Sequence, residues 1–143
     1  MIELVEDRLD IDTYLELRQS VQFRELTRDQ AKKGLSNCLY TLVAFKDGKA
    51  VGMGRIVGDG AIICYVQDLI IRPEVQGEGI GGLILETLKK FVIQEGYEGT
   101  TMMFDLMCAK GREEFYKKHG FIARPTKDLG PGMIQFIQIG SDE

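Results

Sequence analysis

A glycine-rich loop, residues 76–82, is the part of this sequence best suited to binding a ligand. It follows an apolar segment that ends at Arg72 and Pro73, and a helix is predicted to begin near Gly79. The backbone N–H groups at such a junction, together with the positive end of the helix dipole, favour a phosphate or a pyrophosphate. Glycine also permits a close backbone approach that a side chain would block. The sequence therefore predicts an anion site in an α/β protein.

Two common nucleotide-binding motifs do not fit this loop. A P-loop requires Lys and then Ser or Thr after its last glycine, whereas Gly82 is followed by Leu83 and Ile84. A dinucleotide fingerprint has the spacing GxGxxG early in the chain, whereas these glycines stand mid-chain at positions 77, 79, 81 and 82. The loop matches instead the pattern Gln/Arg-x-x-Gly-x-Gly/Ala, which begins at Gln76.

A second motif follows about 35 residues later and reads Phe-Tyr-Lys-Lys-His-Gly-Phe from Phe115 to Phe121. Both motifs resemble those of the GNAT superfamily of acyl-CoA-dependent N-acetyltransferases, in their order and in their separation. The resemblance covers roughly residues 40–140 in arrangement. It implies a single α/β (α+β) domain over residues 1–143, with a central mixed, mostly antiparallel sheet. Helices would flank this sheet, and its strands would splay apart at an acyl-CoA site.

The resemblance also implies which residues bind acetyl-CoA. The backbone of Leu69, Ile70 and Ile71 would hold the pantetheine arm like an added strand and supply an N–H group to the oxyanion. The pyrophosphate would bind the glycine-rich loop, which consists of Gln76, Gly77, Glu78, Gly79, Ile80, Gly81 and Gly82.

Tyr116 matches the family position whose phenol protonates the leaving thiolate. A phenol with a pKa of about 10 suits that step, because the conjugate acid of the thiolate has a pKa in a similar range. The alternative is a core tyrosine that packs with Phe115 and Phe121, since aromatic residues at helix ends are usually structural.

The proton acceptor is the part of the mechanism for which the sequence offers no obvious side chain. A free alkylamine has a pKa of about 10, so a proton must leave before the amine can attack. Family members often carry Glu or His at the positions of Tyr65 or Gln67. Strand alternation predicts that these two residues share one face of the sheet while Asp68 faces the other. We therefore expect Gln67 and Tyr65 to hold a water that relays the proton to bulk solvent.

Composition narrows the function classes further. A net charge of −4 argues against nucleic-acid binding as the main task, and no apolar run reaches the length of a membrane span. The N-terminus lacks a secretory pattern, so we expect a cytoplasmic protein. The three cysteines are far apart and there is one histidine, which argues against a metal site.

The expected function is acetyl transfer from acetyl-CoA to a primary amine of a small molecule, by direct attack through a tetrahedral intermediate, with no metal. A homodimer is compatible with the sequence. A non-catalytic acyl-CoA-binding module, such as a sensor or partner domain, is the alternative. A third possibility, a phosphate-binding enzyme of another class, would require the Tyr116 motif to be a coincidence.

Periodicity and turn residues predict the elements that must position these groups. Asp47-Gly48 is a strong hairpin signal, and Thr27 is a candidate N-cap. The predicted helices are 12–23, 29–35, the segment from about 79 to 95, and 112–118. The predicted strands are 3–5, 39–45, 50–57, 61–71, 101–107 and 133–139.

Overall fold

Five strands and four α-helices form in residues 1–140, the part of the chain that the computed structural model describes. The strands are β1 (Ile2–Glu6), β2 (Tyr40–Lys46), β3 (Lys49–Gly58), β4 (Ile63–Ile71) and β5 (Met103–Leu106). The helices are α1 (Ile11–Ser20), α2 (Arg28–Ser36), α3 (Ile80–Glu95) and α4 (Glu113–Lys118), and a 3-10 turn spans Pro73–Val75. The chain forms two compact units: Met1–Leu106 carries the whole sheet and α1–α3, and a second unit, which contains α4, begins at Met107.

The strands form one mixed sheet in the order β1-β2-β3-β4-β5. Neighbouring strands from β1 to β4 are antiparallel, whereas β4 and β5 are parallel. Parallel neighbours require a crossover connection, and here the connection contains α3. The fold class predicted from the sequence, a mostly antiparallel mixed sheet flanked by helices, is confirmed.

Turn and capping residues determine where several of the helices and strands begin and end. Asp47 and Gly48 both have positive φ, 51° and 80°, as a two-residue hairpin turn requires. Thr27 caps α2 as predicted: its hydroxyl accepts from the Gln30 amide at 3.0 Å, and the Gln30 side chain accepts from the Thr27 amide at 3.3 Å. Helix α3 begins after Gly79, and Gly96 forms its C-cap.

Each face of the sheet carries its own hydrophobic cluster. On the α3 face the buried core includes Cys64 and Val66 of β4 together with Ile84 and Leu88 of α3. On the α1/α2 face a smaller cluster joins residues of the two helices and of β3 and β4, namely Tyr14, Leu17, Ala31, Met53 and Ile70. No helix within residues 1–140 has both the length and the apolar character needed to cross a membrane.

Strand β4 carries a bulge opposite Gly54. Met53 pairs with Ile70 and Arg55 pairs with Gln67, so a single residue of β3 faces two residues of β4, Asp68 and Leu69. Asp68 has a φ of 64°, which is uncommon for a residue other than glycine. A bulge of this kind bends the strand and shifts its side-chain alternation by one residue.

The prediction of a strand at residues 133–139 is wrong. These residues adopt no regular secondary structure, and their large apolar side chains are exposed, from 65% for Ile134 to 87% for Met133. The apolar pattern suggested a strand, but strand formation depends on a partner that satisfies the backbone and on packing of one face. Within residues 1–140 no strand pairs with this segment.

Gly54 is expected to be indispensable for the packing of α3 on the sheet. A Cβ atom at this position would lie 2.7 Å from Ile84 Cγ2 and 2.9 Å from Leu88 Cδ1. We expect Gly54→Ala to lower the free energy of unfolding by about 1–3 kcal/mol through overpacking, measured by urea denaturation. Gly34 of α2 is the matched control, because a Cβ there meets nothing within 4 Å. Gly34→Ala should raise stability by roughly 0.5–1 kcal/mol. An unchanged midpoint for Gly54→Ala would contradict this account.

Candidate active site

The glycine-rich loop carries a run of backbone N–H groups without backbone partners. Gly77 and Gly79 both have a φ of 85°, and a Cβ at either position would meet no atom within 4 Å, so the space around the loop is open. The six N–H groups from Gly77 to Gly82 donate to no backbone oxygen in the described chain. Since Gly79 is the N-cap of α3, these donors lie at the positive end of a 16-residue helix.

Side chains of the loop hold it in place. Gln76 donates from Nε2 to the carbonyl oxygen of Ile71 at 3.0 Å, which ties the loop to the end of β4. Glu78 forms an ion pair with Lys46 at 2.8 Å. The only carboxylate within residues 76–82 is therefore paired with a cation, which reduces its repulsion of an incoming anion.

Strand β4 has an unpaired edge a few residues before this loop. Its pairing with β5 covers only Ile63–Val66, whereas β4 itself continues to Ile71. Leu69, Ile70 and Ile71 therefore have a strand neighbour on the β3 side and none on the other side within residues 1–140. An extended ligand carrying amide groups can add to such an edge through main-chain hydrogen bonds.

The register places Tyr65 and Gln67 on the α1/α2 face. Tyr65 pairs with Asp105 of β5, and Gln67 pairs with Arg55 of β3. The intervening Cys64 and Val66 belong to the core on the α3 face, so Tyr65 and Gln67 face the other way. Both half-buried residues thus share one face, as strand alternation predicts.

Regular strand alternation predicts that Asp68 faces the side of the sheet opposite to Gln67, and this prediction is wrong. The bulge inserts one residue, so the Asp68 carboxylate lies on the α1 side, where it contacts Tyr14 and Arg18. Asp68 therefore shares the face of its neighbour Gln67. A sequence pattern with a period of two cannot anticipate this, because the extra residue is visible only in the pairing with β3.

Asp68 is the centre of a buried polar cluster that the sequence did not predict. Arg18 donates from Nη1 to Oδ1 at 2.9 Å, Arg55 donates from Nε to Oδ2 at 3.3 Å, and the Tyr14 hydroxyl donates to Oδ2. The Asp68 side chain is 2% exposed, and those of Arg18 and Arg55 are 10% and 11% exposed. Burial, and then the neighbouring Asp68, raise the pKa of Tyr14 to about 12, so its phenol remains a donor.

The same arginines connect this cluster to the helices. Arg18 donates from Nη2 to the carbonyl oxygen of Arg24 at 2.8 Å, and Arg55 donates from Nη1 to the carbonyl oxygen of Gly34 at 3.3 Å. The cluster therefore fixes α1 and α2 relative to the bulge in β4. An aspartate within a mostly apolar strand was the available signal in the sequence, because a buried carboxylate requires partners.

Tyr116 lies in the second unit, on α4. Its ring packs edge-on against Phe115 and Phe121, with centroid distances of 5.0 and 5.8 Å. Burial raises the pKa of the Tyr116 phenol, and the Cys108 thiol raises it further, while Arg112 partly offsets both effects. The phenol therefore stays protonated well above neutral pH.

The buried cluster yields a stability prediction. Asp68→Asn removes the negative charge that two buried arginines share, and we expect a loss of about 3–5 kcal/mol in the free energy of unfolding, measured by urea denaturation. The control is Asp12→Asn, because the ion pair between Asp12 and Arg28 is solvent-exposed and should contribute almost nothing. Equal midpoints for the two variants would show that the cluster does not stabilise the fold.

The sequence is similar to known acetyltransferases. Residues 37–123 match the model of the acetyltransferase (GNAT) domain. The chloroplastic GCN5-related N-acetyltransferase 2 of Arabidopsis thaliana is 29% identical over 80 residues, which cover 56% of this chain and 30% of the plant protein. The uncharacterized N-acetyltransferase ycf52 of Pyropia yezoensis is 30% identical over 92 residues, which cover 63% of this chain and 51% of that protein. The chain thus spans about half or less of the length of these relatives.

The structure is similar to solved acetyltransferases as well. A probable acetyltransferase of unknown function from meticillin-resistant Staphylococcus aureus superimposes with a TM-score of 0.84 at 28% sequence identity. The superposition covers 96% of this chain and 100% of that chain. Together with the domain match, which covers more than half of the sequence, this similarity shows that the chain belongs to the GNAT acetyltransferase family.

Proposed function

We propose that this chain is an acetyl-CoA-dependent N-acetyltransferase that acts on a primary amine of a small molecule. The observation that carries the proposal is the succession of two binding elements along the chain. The unpaired edge of Leu69, Ile70 and Ile71 is followed within a few residues by the six N–H groups of the glycine-rich loop.

Acetyl-CoA has complementary groups in the same order. Its pantetheine arm is extended and carries amides, which can hydrogen-bond to the edge of β4 like another strand. Its pyrophosphate carries two negative charges, which suit the N–H groups and the helix dipole at Gly79. The ion pair between Glu78 and Lys46 supports the same assignment, since it neutralises the acidic side chain of the loop.

In the proposed reaction the amine attacks the thioester carbonyl directly. A backbone N–H of β4 stabilises the oxyanion of the tetrahedral intermediate, and the C–S bond then breaks. Gln67 and Tyr65 hold the water that takes the amine proton. Tyr116 protonates the leaving thiolate, a role that the family motif implies. Its phenol is protonated at neutral pH, as a general acid must be.

The alternative is a non-catalytic acyl-CoA-binding module. It is supported by the residues at positions 65 and 67, since neither tyrosine nor glutamine is an effective general base at neutral pH. We also propose a cytoplasmic location and a homodimer, both expected from the sequence. Cell fractionation and light scattering of the purified protein would test them.

Thiol release from acetyl-CoA tests the proposed function. The purified protein would be assayed against simple amines, polyamines, amino sugars, amino acids and peptide amines. We expect amine-dependent release of CoA, and a loss in kcat of about 100-fold or more in Tyr116→Phe, since general acid catalysis typically contributes this much. Tyr97→Phe is the matched control, because Tyr97 is 72% exposed and should not affect turnover.

Three results would contradict all or part of the proposal. Saturable binding of acetyl-CoA without release across the whole panel would favour the binding module. No binding of acetyl-CoA would show that the interpretation of residues 76–82 is wrong. Full activity in Tyr116→Phe would contradict only the assignment of the acid.

A further inference from the structure

We propose that Asp105 of β5 accepts the proton of the substrate amine, through the water held by Gln67 and Tyr65. The inference rests on the proposed function and names a group that the family motifs do not include. It replaces a relay to bulk solvent with a relay that ends on a specific carboxylate.

The sheet register brings Asp105 beside the predicted relay. Asp105 is the direct partner of Tyr65 in the parallel pairing of β4 and β5. Their neighbours Val66 and Leu106 pack in the core on the α3 face, so Asp105 and Tyr65 project together from the α1/α2 face. Gln67 projects from the same face two residues along β4. With a strand spacing of about 4.8 Å and a rise of about 3.3 Å per residue, the Cα atoms of Gln67 and Asp105 lie roughly 8 Å apart, a gap that one water between the side chains can bridge.

Asp105 also lies at the end of the paired region. The pairing of β4 with β5 stops at Val66 and Leu106, one residue beyond Asp105. The unpaired edge of β4 begins there, and it is the edge that would hold the pantetheine arm. A thioester at the end of that arm would therefore meet the sheet near Gln67, with Asp105 on the adjacent strand.

The carboxylate of Asp105 has an unused acceptor. Its Oδ1 atom is buried and accepts no hydrogen bond from any residue within the described range 1–140. Burial raises the pKa of this carboxyl, which makes it a better proton acceptor than an aspartate in water. A buried acceptor without a donor is unfavourable for folding, so such an atom in a native structure points to a ligand or a water that the site is built to receive.

The other aspartate on this face, Asp68, has no unpaired oxygen. Both oxygens of Asp68 accept hydrogen bonds, from Arg18, Arg55 and the Tyr14 hydroxyl. Two other carboxylates of α1 are also paired, Glu16 with Arg72 and Asp12 with Arg28. Cys64 projects from the opposite face of β4.

The proton balance of the step is simple. The ammonium group of the substrate gives one proton through the water to the Asp105 carboxylate, and the neutral amine forms the C–N bond. The C–S bond breaks when the intermediate collapses, and the thiolate takes a proton from Tyr116. The second nitrogen proton returns to Tyr116 by way of solvent, and Asp105 releases its proton to solvent. The products are the amide, CoA with its thiol, and one proton.

The test is the pH dependence of kcat in Asp105→Asn, at saturating acetyl-CoA and an amine that the wild-type protein acetylates. We expect kcat to fall about 10- to 100-fold at neutral pH, within the range of general base catalysis. The acidic limb of the wild-type profile should disappear, while the Kd for acetyl-CoA stays within about twofold because Asp105 lies outside the CoA-binding elements. Glu98→Gln, an exposed carboxylate of the same unit, should behave like wild type.

A stability measurement shows whether a fall in the kcat of Asp105→Asn comes from loss of the carboxyl group or from misfolding. The pKa of Asp105 is higher in the folded protein than in the unfolded chain, so its ionisation destabilises the fold as pH rises through that interval. Asp105→Asn lacks this loss, so its Tm should increase relative to wild type as pH rises above the ordinary aspartate pKa of about 4. If this variant does not fold, Asp105→Ser, which leaves room for a second water, is measured in the same way.

The outcomes separate the two proposals. Wild-type turnover together with an unchanged kcat and an unchanged acidic limb in Asp105→Asn would overturn the role of Asp105 and leave the acetyltransferase intact. Binding of acetyl-CoA by the wild type without turnover on any amine would overturn both. Loss of the acidic limb in Asp105→Asn, with Glu98→Gln unaffected, would establish Asp105 as the proton acceptor.

Discussion

The bulge in β4, held by the buried contacts of Asp68, is the constraint on which the site depends. A carboxylate that is 2% exposed requires strong partners, and it has them in Arg18 and Arg55. These partners belong to α1 and β3, so the ion pairs fix a helix and a neighbouring strand to the bulge. The helices that cover this face are thereby positioned relative to the strand edge that would bind acetyl-CoA.

The bulge also links packing to the position of the proposed cofactor site. Because it shifts the alternation by one residue, Ile70 packs on the α1/α2 face and Ile71 on the α3 face. The strand then leads through the 3-10 turn into the glycine-rich loop. Gly54 makes room for α3 opposite the bulge, since its missing side chain is replaced by Ile84 and Leu88. The hydrogen bond from Gln76 to Ile71 then fixes the loop to the strand end. The backbone donors of the loop are thus positioned by the same strand whose edge is unpaired.

Two aspartates on this face show how environment separates structural from chemical roles. Both oxygens of Asp68 accept hydrogen bonds from arginine and tyrosine donors, and this carboxylate stabilises the fold. Asp105 is partly buried with one oxygen unpaired, and it contributes nothing comparable to stability. This difference between Asp68 and Asp105 does not come from the residue type, because the same carboxyl group behaves differently in the two surroundings.

The sequence by itself determined the features that arise within a few residues: the hairpin turn at Asp47 and Gly48, the cap at Thr27, and the glycine-rich loop before α3. Their physical causes are local hydrogen bonds and backbone conformations, so a short sequence segment is enough to predict them. Only the tertiary structure decided the side of the sheet that Asp68 faces, the neighbourhood of Asp105 and the absence of a strand at 133–139. Each of these depends on register and pairing between segments far apart in the sequence, and a shift of one residue reverses the side that a strand residue faces.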